Sequence, residues 1–135
     1  MKYEKDEFLC PEKVEREIRR SKSQNHEILR LFQEGVVAIK KVGHYVDFAS
    51  VSDTDAEVIS LAIETQSTII SDDAPLRENA NRYGVSAIDV AGFVLLIYQQ
   101  GRMNKNECSS HLTRLFKKKI LSKPKYHQLL TLIRP

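Results

Sequence analysis

Residues 53–77 read Asp-Thr-Asp-Ala-Glu-Val-Ile-Ser-Leu-Ala-Ile-Glu-Thr-Gln-Ser-Thr-Ile-Ile-Ser-Asp-Asp-Ala-Pro-Leu-Arg. The stretch contains an apolar helix pattern and then a short β-branched strand. Asp53, Asp55 and Glu57 stand at the start of the first element, and Asp72 and Asp73 directly follow the second. Acids at a helix start are ordinary capping. An Asp-Asp pair directly after an apolar strand is less ordinary, because only one of the two can cap the next helix. It places two anions where the backbone leaves a sheet, the edge at which α/β proteins keep their sites. If both acidic ends converge, they form an oxygen cluster suited to Mg²⁺ or Mn²⁺.

Working outward, Ser52 with Asp55 fits a capping box for a helix to about Thr65, and Thr54 with Glu57 fits it equally. Val58, Ile59, Leu61, Ala62 and Ile63 are its residues for burial. Ser67–Ser71 reads as a strand. Pro75 opens a helix through Arg82, and Gly84 is its C-cap. Val85–Ile88 is a short strand, Asp89 precedes an apolar helix over Val90–Gln100, and Gly101 ends that helix. Two further helices are expected at about Lys105–Lys119 and Pro124–Ile133.

Upstream, Pro11-Glu-Lys-Val-Glu-Arg-Glu-Ile-Arg-Arg opens with Pro and acids and closes with bases, as a helix should. A second helix is expected near Asn25–Glu34, stopped by Gly35, and a strand within Val36–Val42. From Val36 onward strands and helices alternate. That order predicts a parallel sheet with helices on both faces, a three-layer α/β/α arrangement.

Composition bounds the rest. A chain of 135 residues, 41% hydrophobic and 29% charged, is the size of one domain with a real core. The longest apolar run, around Val90–Tyr98, is too short to span a bilayer, so no membrane partner is expected. Lys2, Glu4, Lys5, Asp6 and Glu7 argue against a signal peptide and for a cytoplasmic protein. Cys10 and Cys108 lie far apart without metal-ligand spacing and read as free thiols. His26, His44, His111 and His127 show no ligand spacing either. Phe93 and Tyr98 read as core.

Charge is unevenly spread. The net charge of +3 divides into +8 for residues 102–135, with nine Lys or Arg against one acid, and −5 for residues 1–101, with twelve bases against seventeen acids. Arg114, Lys117, Lys118, Lys119, Lys123 and Lys125 gather near the junction of the last two helices. Leu112, Leu115, Phe116 and Ile120 should face the body, which turns most of these bases to solvent. Such a surface can hold a phosphate backbone, or it can simply be a solvated face.

Several pieces together resemble the PIN domain, a family of metal-dependent nucleases that includes the toxins of toxin–antitoxin modules. The pieces are Asp-Ala-Glu-Val-Ile-Ser-Leu-Ala (55–62), Ile-Ile-Ser-Asp-Asp-Ala-Pro-Leu-Arg (69–77), Asp-Val-Ala-Gly-Phe-Val-Leu-Leu (89–96) and Pro-Glu-Lys-Val-Glu-Arg-Glu-Ile (11–18). Ser52–Gly101 carries the strongest likeness, which extends over about Phe8 to Pro135 as one domain. The resemblance implies that Glu17, Asp55 and Asp73 are the family's catalytic acids, with Asp72 as the alternative to Asp73 and Asp89 as a further acid. It implies that they gather at the carboxyl edge of the parallel sheet and bind Mg²⁺ or Mn²⁺. Ser71 could orient a carboxylate or the attacking water, and Arg77 could pair with Asp73 or contact a phosphate. The implied partners are RNA, an antitoxin protein and a second copy of the chain.

The family also opens with an apolar strand ending in an Asp. Here Met-Lys-Tyr-Glu-Lys-Asp-Glu precedes Phe8 without such a strand, and Asp6 is followed by Glu7. The first strand and its acid are therefore expected to be missing. A start placed too late, a strand supplied by a second chain, or a degenerate relative would each account for this. The alternative function is a PIN-like binding or assembly module that does not cleave. A receiver domain also uses an acidic pair after a strand, but Ile88-Asp89 matches its phosphoacceptor strand poorly and no suitable Lys follows.

Overall fold

The computed structural model describes residues 8–20, 33–45 and 51–133. Its elements are β1 (Phe8–Pro11), α1 (Glu12–Arg20), β2 (Val37–Lys40), α2 (Asp53–Thr65), β3 (Ile69–Ile70), α3 (Ala74–Arg82), β4 (Ala87–Ile88), α4 (Val90–Gln99), α5 (Lys105–Lys117) and α6 (Lys123–Leu132). This is a mixed α/β fold whose described strands pair in parallel, as the alternation predicts. The expected helix near Asn25–Glu34 lies outside the described residues except for its last two positions. Residues 1–7, where no apolar strand is expected, lie outside them as well. The chain divides into two compact units, Met1–Ser67 and Thr68–Pro135.

In the first unit, β1 and β2 pair with Phe8 opposite Val37 and Cys10 opposite Ile39. Sequence pattern does not signal β1: Phe-Leu-Cys is too short to show a period, and its partner strand lies far along the chain. Parallel pairing makes this strand visible only in three dimensions. α1 follows without a break. Glu12 and Glu15 stand in its first turn, Arg19 and Arg20 in its last. Glu12 pairs with Arg16 at 3.3 Å and Glu15 with Arg19, each one helical turn apart. Such exposed pairs contribute about 0.2–0.5 kcal/mol each.

α2 packs against β1 and α1. Of the two capping readings, Ser52 is the one realised: its Oγ accepts the Asp55 N–H at 3.2 Å. Gln66 closes the helix in the left-handed region, with φ 53°. Ile59, Leu61 and Ala62 are buried as expected and Ala56 with them, whereas Val58 is half-buried and Ile63 is exposed. Glu57 and Ser60 are buried with them.

In the second unit, β3–α3–β4 is a compact βαβ turn with Ile69 opposite Ala87 and Ile70 opposite Ile88. Both strands are shorter than the expected Ser67–Ser71 and Val85–Ile88. Asp73 caps α3, Pro75 lies in its first turn, and Gly84 follows with φ +79°. That left-handed conformation suits Gly because it has no Cβ to clash.

α4, α5 and α6 share a core of Ala91, Cys108, Leu112, Leu121, Leu129 and Ile133, with Tyr98 packed against it. Each fully buried Leu here contributes about 1.5–3 kcal/mol. Phe93 is half-buried. Phe116 stacks on Tyr126, with ring centroids 4.5 Å apart, and Thr113 Oγ1 lies 2.8 Å from the Tyr126 hydroxyl. Together these contacts fix α6 to α5.

A further expected core position differs. Ile120 is 51% exposed. α5 stops at Lys117, and Lys119 turns into the left-handed region with φ 62°. The helical period that would bring Ile120 beneath Phe116 is broken there. Leu121 takes the buried place instead.

Candidate functional site

Parallel pairing of β3 and β4 makes their chain ends leave at one edge. Asp72 stands two residues after Ile70, and Asp89 one residue after Ile88. Hydrogen bonds tie these ends together: the Ser71 N–H donates to the Ile88 carbonyl at 2.9 Å, and Asp72 Oδ1 accepts the Val90 N–H at 3.1 Å. Asp89 is the N-cap of α4, its Oδ1 accepting the Gly92 N–H at 2.7 Å. Two carboxylates thus serve one helix N-terminus, where unpaired N–H groups and the helix dipole favour negative charge. Gly92 is what allows the close approach. A Cβ there would lie 2.9 Å from Asp89 Oδ1.

The other members of the acidic stretch have their own partners. Asp73 Oδ1 accepts the Leu76 N–H at 3.3 Å as the cap of α3. Ser71 Oγ accepts the Asp73 N–H at 3.1 Å, which leaves its own O–H to donate elsewhere. Arg77 does not pair with Asp73. Its Nη1 donates to the Ser71 carbonyl at 2.8 Å and so straps the end of β3 to α3.

Asp89 has a second partner. Its Oδ2 receives the Lys125 ammonium from α6. Burial pushes the Asp89 carboxyl up, but Lys125, the Gly92 N–H and the nearby Arg77 charge outweigh it, and the net result lies below the usual range. Asp72, Arg77, Asp89, Ser122 and Lys125 line one pocket of about 210 Å³, closed on its apolar side by Ala91, Leu115, Ile120 and Leu121. Its charged lining is two acids and two bases.

In the first unit, Glu17 and Asp55 come near one another through a neighbour. Glu17 Oε1 accepts the Thr54 Oγ1–H at 2.9 Å, so α1 touches the first turn of α2 beside Asp55. Asp55 is not the cap of its helix, because Ser52 holds that role.

Glu57 is the charged residue whose environment the sequence does not announce. At 3% exposed it accepts the Lys13 N–H at 2.8 Å on Oε1 and the Tyr45 hydroxyl on Oε2. Lys13 Nζ sits 5.1 Å from the Tyr45 ring centroid. Glu57 therefore satisfies a backbone donor at the start of α1, which fits the rule that buried polar groups are hydrogen-bonded. Its two anchors lie 44 and 12 residues away, beyond any local pattern.

Cys10 and Cys108 are free and buried, as expected of unpaired thiols. Burial, with Glu15 and Glu57 nearby, pushes the Cys10 thiol up to about 11. Neither cysteine is poised as a nucleophile.

The basic residues Arg114, Lys117, Lys118, Lys119, Lys123 and Lys125 are all exposed. Lys125 differs from the others in carrying the ion pair to Asp89.

A family model for the PIN domain matches residues 1–134, and the chain belongs to the PIN-domain family. No curated protein and no solved structure matches the chain with significance. PIN domains have a nuclease-like fold and are in general metal-dependent.

The donors fit that dependence in kind. Asp72 and Asp89 offer to one pocket the hard oxygens that divalent cations such as Mg²⁺ take, beside the cationic Arg77 and Lys125. Two carboxylates suffice for an ion that keeps several of its waters. Among the described residues, no group of three or more His, Cys, Asp or Glu is gathered as a metal cluster. Among them, too, no helix is long and apolar enough to cross a membrane.

Proposed function

We propose that this PIN domain is a Mg²⁺- or Mn²⁺-dependent endoribonuclease of the toxin–antitoxin kind. The observation that carries the reading is the carboxyl edge of the β3–β4 pair. There Asp72 and Asp89 line one pocket together with two cationic side chains, Arg77 and Lys125. Carboxylates that hold a divalent ion beside cations that hold phosphate oxygens are what hydrolysis of a phosphodiester requires.

In this reading Glu17, Asp55 and Asp73 are the catalytic acids, with Asp72 and Asp89 as further ligands. The bound ion would supply an activated water and charge stabilisation on the phosphate. Ser71, whose hydroxyl still has a proton to donate, orients a carboxylate or that water. Arg77 is fixed by the Ser71 carbonyl and presents its remaining N–H groups as a rigid donor to a phosphate oxygen. Arg114, Lys117, Lys118, Lys119 and Lys123 hold the RNA backbone by charge alone.

A second reading has its own support. Asp72, Asp73 and Asp89 each accept a backbone N–H, and Asp89 also holds an ammonium. Each is thus accounted for as a structural acid in a non-catalytic binding module. Cleavage of labelled single-stranded RNA in Mn²⁺ separates the two. The nuclease reading expects weak cleavage that vanishes in Asp73→Asn. Cleavage that survives Asp55→Asn and Asp73→Asn combined would place the activity elsewhere, and none in the parent chain favours the binding module.

A further inference from the structure

We propose that Lys125 is a built-in counter-cation that a divalent ion must displace from Asp89, so that this lysine sets the metal affinity of the pocket. The inference rests on the reading of the chain as a metal-binding protein.

Neither helix needs this ion pair. α4 is already capped by Asp72 at Val90 and by Asp89 at Gly92. Lys125 stands in the first turn of α6, where the helix dipole disfavours a cation and no acid offsets it. Its backbone is held there by Ser122 Oγ, which accepts the Lys125 N–H at 3.4 Å. The placement is explained by what the ammonium reaches. It neutralises one carboxylate in a pocket that already contains another, Asp72, and so relieves the repulsion between two anions lining one cavity.

The two cations of the pocket are not equivalent. Arg77 is anchored to the Ser71 carbonyl at 2.8 Å. Lys125 has a flexible stem, a side chain 46% exposed, and in this pocket the one contact to Asp89 Oδ2. It is the group that can leave. A divalent ion bringing twice the charge to Asp89 and Asp72 together wins over a single ammonium at Asp89 alone. The freed ammonium swings into water at the pocket mouth, where it meets an incoming phosphate. Metal loading and anion capture are then linked through one side chain.

The test is Mn²⁺ binding, read from the electron paramagnetic resonance signal of free Mn²⁺ at fixed ionic strength. Lys125→Met should bind Mn²⁺ about threefold to fivefold more tightly than the parent, the range expected from removing one partly exposed competing pair. Lys125→Arg, which restores the charge, should stay close to the parent. Lys105→Met removes the same unit charge from the start of α5, outside the pocket lining, and should also stay close. Lys125→Gln, with far-UV circular dichroism matching the parent, guards against misfolding of the Met variant. Equal or weaker binding by folded Lys125→Met and Lys125→Gln overturns the competition and leaves the metal reading standing. Equal tightening in Lys105→Met would reduce the effect to overall charge and overturn it too. Absence of Mn²⁺ binding in every variant overturns the metal reading and this inference together.

Discussion

Asp72 Oδ1 accepts the backbone N–H of Val90 at 3.1 Å, eighteen residues further along the chain. That bond joins the exit of β3 to the start of α4. It gives the first acid of the Asp-Asp pair a partner distinct from that of the second, because Asp73 caps α3 while Asp72 helps cap α4. Adjacent like charges are tolerated when each faces a different helix N-terminus.

Separating the two roles of Asp72 takes two substitutions. Asp72→Ala removes the acceptor for Val90 and should destabilise the fold by about 1 kcal/mol, within the usual range for a lost cap. Asp72→Asn keeps an oxygen and should cost less, yet lose affinity for Mn²⁺. Urea midpoints with isothermal titration of Mn²⁺ check both. Equal destabilisation by Ala and Asn would remove the cap from the account.

Glu57, a buried acid, should be costly to remove. Glu57→Ala leaves the Lys13 N–H without its acceptor and frees the Tyr45 hydroxyl, at a cost of about 1–3 kcal/mol. Tyr45→Phe should cost less, since Tyr45 is exposed and water replaces the lost bond. If chemical denaturation finds Glu57→Ala as stable as the parent, the network does not tether α1.

Tyr45 itself should titrate above its ordinary value. The bond it donates to Glu57 is the largest cause, since it holds the phenol protonated, and Lys13 opposes it in part. The sign follows. A pKa raised in the folded state favours the protonated form, so the contribution is complete below about pH 10 and fades as pH climbs through the higher folded value. A parent-minus-Tyr45→Phe difference titration at the phenolate absorbance band should show this shift, and Glu57→Gln should reduce it. An unshifted difference curve would break the link.

Cys10 should be slow to react in the native state. With the thiol raised to about 11 and the side chain buried, little thiolate exists at pH 8. Ellman's reagent should label neither Cys10 nor Cys108 quickly, and both should react at once in denaturant. Fast native labelling lost in Cys10→Ser would show that β1 opens readily.

RNA binding by the basic surface should fall with salt, with a slope of about −0.7 per phosphate contacted for a single strand. Changing Lys117, Lys118 and Lys119 together to Ser should flatten that slope and weaken all sequences alike. Fluorescence anisotropy with labelled RNA measures both. A parent chain with no salt-dependent binding would make the patch a solubility or docking face.

Local signals carried a good part of the fold. Ser52, Asp73 and Asp89 are N-caps whose side chains accept an N–H three residues on, and that chemistry is complete within one turn. Gly35, Gly84 and Gly101 all adopt positive φ where a helix or turn had to stop. Lys117-Lys118-Lys119 has good helix propensity throughout, which predicts a longer α5 than the one that ends at Lys117. The chain nevertheless turns left-handed at Lys119, and Leu121 rather than Ile120 is buried in the shared core.

The sequence by itself determined the alternation of strands and helices from β2 onward and the acids at the ends of β3 and β4. Those features depend on spacings of two to four residues, which a linear chain displays directly. Tertiary structure alone decided that Phe8–Pro11 is a strand, that Glu57 is buried between Lys13 and Tyr45, and that Lys125 rests on Asp89. Each of these depends on partners 12 to 44 residues apart, and their energies come from burial and pairing that no local pattern encodes.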